Sequence, residues 1–280
     1  MARALVSTDW LAEHLDSPDV RIVDATFFLP QIGRDARAEF EERHIPGAVF
    51  FDIDEIKDDA DPLPHMVPPA PKFSAKVRRL GLGDGALIVC YDANGFCGAA
   101  RAWWMLRLFG ARDVRVLDGG IDKWLAEGRP VEDLPRAPTE RHFTARQNNF
   151  LIRDLEQVRA NITTRQEQVV DARSSGRFYG TAPEPRPNMR PGHIPGSLNL
   201  PHEQLFDPET KTMLPPEQLE EILVSAGIDL DRPVVTTCGS GVSAAVINLA
   251  LYELGRDDVA VYDGSWAEWG GRSDTPVETT

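Results

Sequence analysis

The sequence predicts an α/β protein made of two tandem domains, each a parallel sheet flanked by helices. Three observations lead there. Short β-branched runs recur along the chain, helix-period segments separate most of them, and the whole series occurs twice in one order. In the first half, Val20 to Ala25 (VRIVDA) is followed by His44-Ile45-Pro46-Gly47, then Ala86 to Asp92 (ALIVCYD), then Val114 to Gly120 (VRVLDGG). The second half answers with Gln168 to Ala172 (QVVDA), His193-Ile194-Pro195-Gly196, Pro233 to Cys238 (PVVTTC) and Val259 to Gly264 (VAVYDG). Four landmarks at a nearly constant spacing indicate a duplicated domain.

Each of these runs is apolar on both faces, as strands covered by helices on both sides must be. Apolar residues at three- and four-residue spacing predict helices over Thr8 to Leu15, Ala99 to Phe109, Pro216 to Ala226 and Ser243 to Leu254. The stretch from Asp133 to Asn149 is rich in Pro, Arg and Thr without periodicity and reads as an ordered or semi-extended connector. The predicted division is residues 1–135, a linker over 136–149, and residues 150–280.

Composition narrows the function. With 280 residues, 42% hydrophobic and 26% charged, the chain is long enough for two globular domains and too apolar for disorder. Its formal charge of −14 repels phosphate backbones and disfavours nucleic acid as a partner. No run reaches the roughly 18 apolar residues of a membrane span, and Asp9 and Glu13 interrupt the N-terminal segment where a signal peptide needs an unbroken apolar core. Cys90, Cys97 and Cys238 are too few and too scattered for a disulfide scaffold, which fits a reducing, cytoplasmic setting. There is no Walker motif, no HExxH and no zinc-spaced Cys/His set, so neither a metal nor an organic cofactor is implied. Gly81-Leu82-Gly83-Asp84-Gly85 precedes a strand instead of following one and reads as a turn, not a dinucleotide fingerprint.

The chemical signal is the run Val234 to Ala244, VVTTCGSGVSA, where a buried strand ends at a cysteine and a helix starts within six residues. Ligands in open parallel sheets bind beyond the carboxyl ends of the strands. Gly239 and Gly241 let the loop curl so that main-chain N–H groups converge on the Cys238 sulfur, and the helix adds its positive end. Such a cradle stabilises a thiolate and a persulfide anion alike. The matching strand end in the first half is Asp92, so only one half carries the thiol. Cys90, within a strand, and Cys97, at a loop or helix start, read as structural. Asp24, Asp171, His44 and His193 occur in both halves and read as loop-holding residues, and the tryptophans at 103, 104, 124, 266 and 269 read as core filling.

On these residues the chain resembles the two-domain sulfurtransferases of the rhodanese superfamily over almost its whole length, and within them the branch that uses 3-mercaptopyruvate. Thiosulfate-using relatives carry Cys-Arg-Lys-Gly-Val at the catalytic loop; here Gly239 and Ser240 replace the two cations, and Ser243 stands where the mercaptopyruvate loop usually has Thr. The resemblance implies a substrate clamp of Arg177 and Arg186, whose guanidinium forks suit a carboxylate beside a ketone. It implies a relay of Asp54, His65 and Ser240, and binding contacts from Gly239, Gly241, Val242 and Ser243. The implied reaction moves sulfur from 3-mercaptopyruvate through a Cys238 persulfide to cyanide or a thiol such as thioredoxin, releasing pyruvate. If the relay assembles, the site draws on both halves of the sequence. Two rivals remain open: a thiosulfate sulfurtransferase, and a non-catalytic sulfur-carrier or interaction module. A cysteine phosphatase would need Arg at position 244, which is Ala.

Overall fold

The computed structural model describes residues 3–135 and 137–279. Met1, Ala2, Arg136 and Thr280, which fall at the ends of the predicted domains and at the start of the predicted linker, lie outside the described residues. The chain separates into two compact units. One comprises Met1–Asp58, Val67–Asn148 and Phe206–Met213; the other comprises Asp59–Met66, Asn149–Leu205 and Leu214–Thr280.

The first unit runs β1 (Leu5–Val6), α1 (Thr8–Glu13), β2 (Val20–Asp24), α2 (Ala36–Glu42), β3 (Val49–Phe50), α3 (Ala70–Arg79), β4 (Leu87–Tyr91), α4 (Cys97–Leu108), β5 (Val114–Leu117) and α5 (Gly120–Ala126). The second runs β6 (Ile152–Arg153), α6 (Leu155–Thr164), β7 (Gln168–Asp171), α7 (Ser175–Phe178), β8 (Leu198–Asn199), α8 (Pro216–Ser225), β9 (Val234–Thr237), α9 (Ala244–Glu253), β10 (Ala260–Tyr262) and α10 (Ser265–Trp269). The sheets are ordered β1-β5-β4-β2-β3 and β6-β10-β9-β7-β8, with every pairing parallel. The two orders are the same order, so the repeat in the sequence is a repeat of topology. The predicted fold class is the observed one.

All six long landmark runs are strands and all four predicted helices form. Strands β1, β3, β6 and β8 have two residues each, too few for a pattern to register. Helix α3, which is not among the predicted helices, begins inside a proline-rich stretch, with Pro69 as its N-cap and a proline in its first turn. Helix α6 carries a legible start signal: Asp154 accepts the Gln157 N–H at 2.8 Å, and the Gln157 side chain accepts the Asp154 N–H at 2.9 Å.

One apolar layer of the first sheet is built from Ile22, Val89, Leu117, Trp124 and their neighbours, and its counterpart in the second from Val169, Val235, Ala260, Trp266 and Trp269. Helices α4 and α9 are buried on nearly every side, as helices apolar all round must be. The HIPG histidines are spent on the main chain. His44 Nδ1 contacts the Phe40 carbonyl at 2.7 Å and His193 Nδ1 the Phe178 carbonyl at 2.9 Å, each ring stacked on that phenylalanine.

The compact units depart from the predicted division in two ways. The predicted linker is bound to the first unit: Arg146 and Asn148 donate to the Phe109 and Leu108 carbonyls at 2.9 and 2.7 Å, and Phe143 is buried against Phe73. Two short segments also belong with the unit of the other half. Phe206 packs on Phe96 and Met213 N–H donates to Asp118 Oδ1 at 2.8 Å, both in the first unit. Residues 59–66 belong to the second. Such long-range partners leave no local pattern. Among the described residues no helix is long and apolar enough to cross a membrane.

Candidate active site

Strand β9 lies between β7 and β10 in the middle of its sheet, so its carboxyl end opens centrally on the edge where α/β ligands bind. Cys238 follows directly, buried and with a free thiol. The turn after β10 fastens the start of the loop. Ser265 Oγ accepts the Cys238 N–H at 3.2 Å and donates to the Tyr262 carbonyl at 2.8 Å. The N–H groups of Trp266 and Ala267 donate to the carbonyls of Cys238 and Gly239, both at 2.9 Å. In a trans peptide the N–H points opposite to its C=O. Holding these two carbonyls toward α10 therefore turns the N–H groups of Gly239 and Ser240 away from that helix. Gly241 completes the curl in the left-handed region at φ +76°, where a β-carbon is disfavoured. Helix α9 then starts at Ala244 with no side chain capping it, and the Ala245 and Val246 N–H groups donate to the Val242 and Ser243 carbonyls at 3.2 and 3.0 Å. Val242 is buried and Ser243 is the half-buried N-cap residue.

Ser240 Oγ lies 3.0 Å from His65 Nδ1, and both residues are almost fully buried. His65 reaches this place from the segment 59–66 with a backbone φ of +60°, an uncommon conformation for a residue bearing a β-carbon. Asp54, the third residue of the expected relay, belongs to the first unit, where its Oδ1 lies 3.5 Å from Lys57 Nζ.

The two expected arginines meet at Gly239. A β-carbon placed there would lie 2.9 Å from Arg177 Nη2 and 3.7 Å from Arg186 Nη1. Arg177, from α7, is held by Glu184, with Nη2 to Oε2 at 2.7 Å and Nε to Oε1 at 3.3 Å. Glu184 also accepts from Arg173 Nη1 at 2.8 Å. Arg173 is fully buried: it chelates Asp171 at the end of β7, donates to the Gly192 carbonyl and lies 4.3 Å over the Trp266 ring. The neighbouring carboxylates keep its guanidinium charged against the cost of burial. His202 lies near Arg177; burial pushes its imidazole below the ordinary range, and the Arg177 charge acts in the same direction against Glu203 and the Ala172 carbonyl.

Of the residues that sequence reasoning named, the structure places Arg177 and Arg186 at Gly239 and His65 against Ser240. Sequence reasoning did not name Arg173, Glu184 or Ser265, which hold Arg177 and the start of the loop. An acid between two arginines, and a serine just after a strand-ending Asp-Gly, were the available signals. Trp266 was assigned to packing, and it does fill the core. It also braces the loop through its N–H and Arg173 through its ring.

The profile of the rhodanese-like domain matches residues 7–127 and again residues 154–272. The chain belongs to the rhodanese family. Among the similar proteins of this rhodanese is the Homo sapiens 3-mercaptopyruvate sulfurtransferase, 44% identical over 275 residues, covering 96% of this chain and 92% of that protein. The Rattus norvegicus thiosulfate sulfurtransferase is also 44% identical, over 284 residues, covering 99% and 94%. The crystal structure of SseA from Escherichia coli, a 3-mercaptopyruvate sulfurtransferase, superposes with a TM-score of 0.87 at 37% identity, covering 95% of this chain and 99% of that one. Both substrate classes stand at the same identity, so the residues of this rhodanese's own loop must distinguish them.

Proposed function

We propose that this rhodanese is a 3-mercaptopyruvate sulfurtransferase. The observation that carries the reading is the catalytic loop itself: Gly239 and Ser240 follow Cys238 where thiosulfate-using relatives have two cations. The guanidiniums of Arg177 and Arg186 both come up to Gly239, a geometry suited to a carboxylate and its neighbouring carbonyl.

The Cys238 thiolate attacks the sulfur of mercaptopyruvate, forming an S–S bond as the carbon–sulfur bond breaks. The bond's electron pair leaves on the carbon as the enolate of pyruvate, and the sulfhydryl proton ends on that carbon, leaving the persulfide as an anion. Arg177 and Arg186 hold the carboxylate and ketone so that the sulfur faces Cys238. The amides of the loop stabilise first the thiolate and then the persulfide. Ser240 and His65 move the proton through their 3.0 Å contact. Asp54 is assigned to the relay by family resemblance, and Asp54→Asn measures its share. Cyanide or a thiol such as thioredoxin then takes the outer sulfur as its own nucleophile displaces the Cys238 thiolate. A reducing, cytoplasmic setting suits free thiols of this kind.

The test is turnover on mercaptopyruvate and on thiosulfate, with intact mass measured after donor and no acceptor. Mercaptopyruvate is expected to be preferred, with one added sulfur on the wild type and none on Cys238→Ser, which should be inactive. Preference for thiosulfate would defeat the substrate assignment. An unmodified wild-type Cys238 would favour the interaction module.

A further inference from the structure

We propose that Glu184 determines donor specificity, by setting both the direction and the charge of the arginine site. The proposal rests on the sulfurtransferase reading above. Glu184 is almost fully buried between two guanidiniums, its Oε1 bridging Arg173 and Arg177 and its Oε2 taking Arg177 Nη2. Nη2 is the atom that lies against Gly239, so one nitrogen meets Glu184 on one side and the catalytic loop on the other. Glu184 thereby fixes where Arg177 points, and Arg173, anchored by Asp171 and Trp266, fixes Glu184.

The charge follows from the same contacts. Asp171 and Glu184 sit against Arg173 and Arg177, so this quartet is neutral as a group and the field that Arg177 presents to a donor is reduced by the carboxylate behind it. Mercaptopyruvate carries one carboxylate charge and thiosulfate carries two. A partly neutralised site loses little attraction for the first and about twice as much for the second, because Coulomb energy scales with the donor's charge. Gly239 and Ser240 withhold cations from the loop, and Glu184 withholds cationic field from the clamp.

Glu184→Gln keeps the shape and one acceptor oxygen while removing the charge, and Arg173 retains both oxygens of Asp171. The experiment compares kcat/KM for mercaptopyruvate and thiosulfate in wild type, Glu184→Gln and Glu184→Asp, with thermal melting of each. Glu184→Gln is expected to shift the ratio toward thiosulfate by roughly tenfold, the size expected of one charge a guanidinium's width from the donor. Glu184→Asp keeps the charge but shortens the reach, so it should raise KM for both donors and hold the ratio. A ratio unchanged in Glu184→Gln overturns the proposal, as does one that shifts equally in Glu184→Asp. Should Glu184→Gln fail to fold, Glu184→Ala removes the same charge and its ratio decides, an unchanged ratio overturning the proposal. Wild-type inactivity on mercaptopyruvate would instead defeat the functional reading.

Discussion

Replacing Gly239 by alanine tests the arginine clamp with a single carbon. That carbon would lie 2.9 Å from Arg177 Nη2, and an ordinary carbon–nitrogen contact needs about 3.5 Å, so the guanidinium must retreat by roughly half an ångström. It has little room, because the same nitrogen is bonded to Glu184 at 2.7 Å. Tilting a side-chain torsion off its well costs about 0.5–1.5 kcal/mol, and weakening a charged hydrogen bond adds a share of its 1.5–3 kcal/mol, roughly. A loss of about 1–2 kcal/mol in substrate binding corresponds to about a five- to thirtyfold fall in kcat/KM. The fall should come through KM, since the clamp holds donor and transition state alike. The backbone at Gly239 lies outside the left-handed region, so the fold should tolerate alanine and melting should move little. Steady-state kinetics on mercaptopyruvate alongside thermal melting reads both quantities. Kinetics within twofold of wild type would show that Arg177 does not hold the donor. A collapse of kcat at constant KM would place Gly239's role in the amide curl instead.

Removing the first unit's loop carboxylate should cost stability, not catalysis. Asp92 Oδ1 accepts the Asn94 and Phe96 N–H groups at 3.3 and 3.1 Å, and Oδ2 accepts Ala99 N–H at 2.8 Å. Asp92→Ala strands the buried Phe96 and Ala99 amides and the part-buried one of Asn94, and is expected to lower unfolding free energy by about 2–4 kcal/mol in urea titration; a loss under about 1 kcal/mol would contradict the count. Asp24 gives a pH signature, because burial pushes its carboxyl up to about 6 against the Thr26 hydrogen bonds that lower it. The native state then keeps a proton that the unfolded chain releases near pH 4. Its stabilising contribution is whole below about pH 4 and lost as pH rises through about 6, a change of about 3 kcal/mol at most. Asp24→Asn should remove that component from the stability profile between those pH values, and parallel profiles would refute it. His65→Ala and Ser240→Ala, if they act through their shared 3.0 Å contact, should lose no more activity together than the worse does alone; additive losses would separate their roles.

What the sequence disclosed was periodic or adjacent. The six landmark runs announced themselves because buried parallel strands are apolar on both faces, and Cys238 to Ser243 did so because strand, glycines and helix lie in one run. Arg177 and Arg186 were legible through family resemblance, and their meeting at Gly239 needed coordinates. Glu184 and Arg173 stayed hidden because a buried charge declares itself only through its partners, and Asp171, Trp266 and Arg177 are distributed over three separate elements. His65 was reached by resemblance alone. Its contact with Ser240 spans 175 positions, a separation that no periodicity can encode.

The two units explain each other at two substitutions. In the first, the strand-end residue is Asp92, whose carboxylate receives the loop amides; in the second, the corresponding strand end carries Cys238. The two loops share a place at a strand end, and on the proposed function the sulfur there takes the role that the first unit leaves to a carboxylate holding its own turn. The neighbouring strand shows the other change. Asp24 is answered by Thr26, which supplies only hydrogen bonds, and its carboxyl is pushed toward the protonated form. Asp171 is answered by Arg173, whose charge carries Glu184 and, through it, Arg177. A residue held by hydrogen bonds alone in one unit thus becomes, in the other, the root of the chain of ion pairs that brings a guanidinium to Gly239.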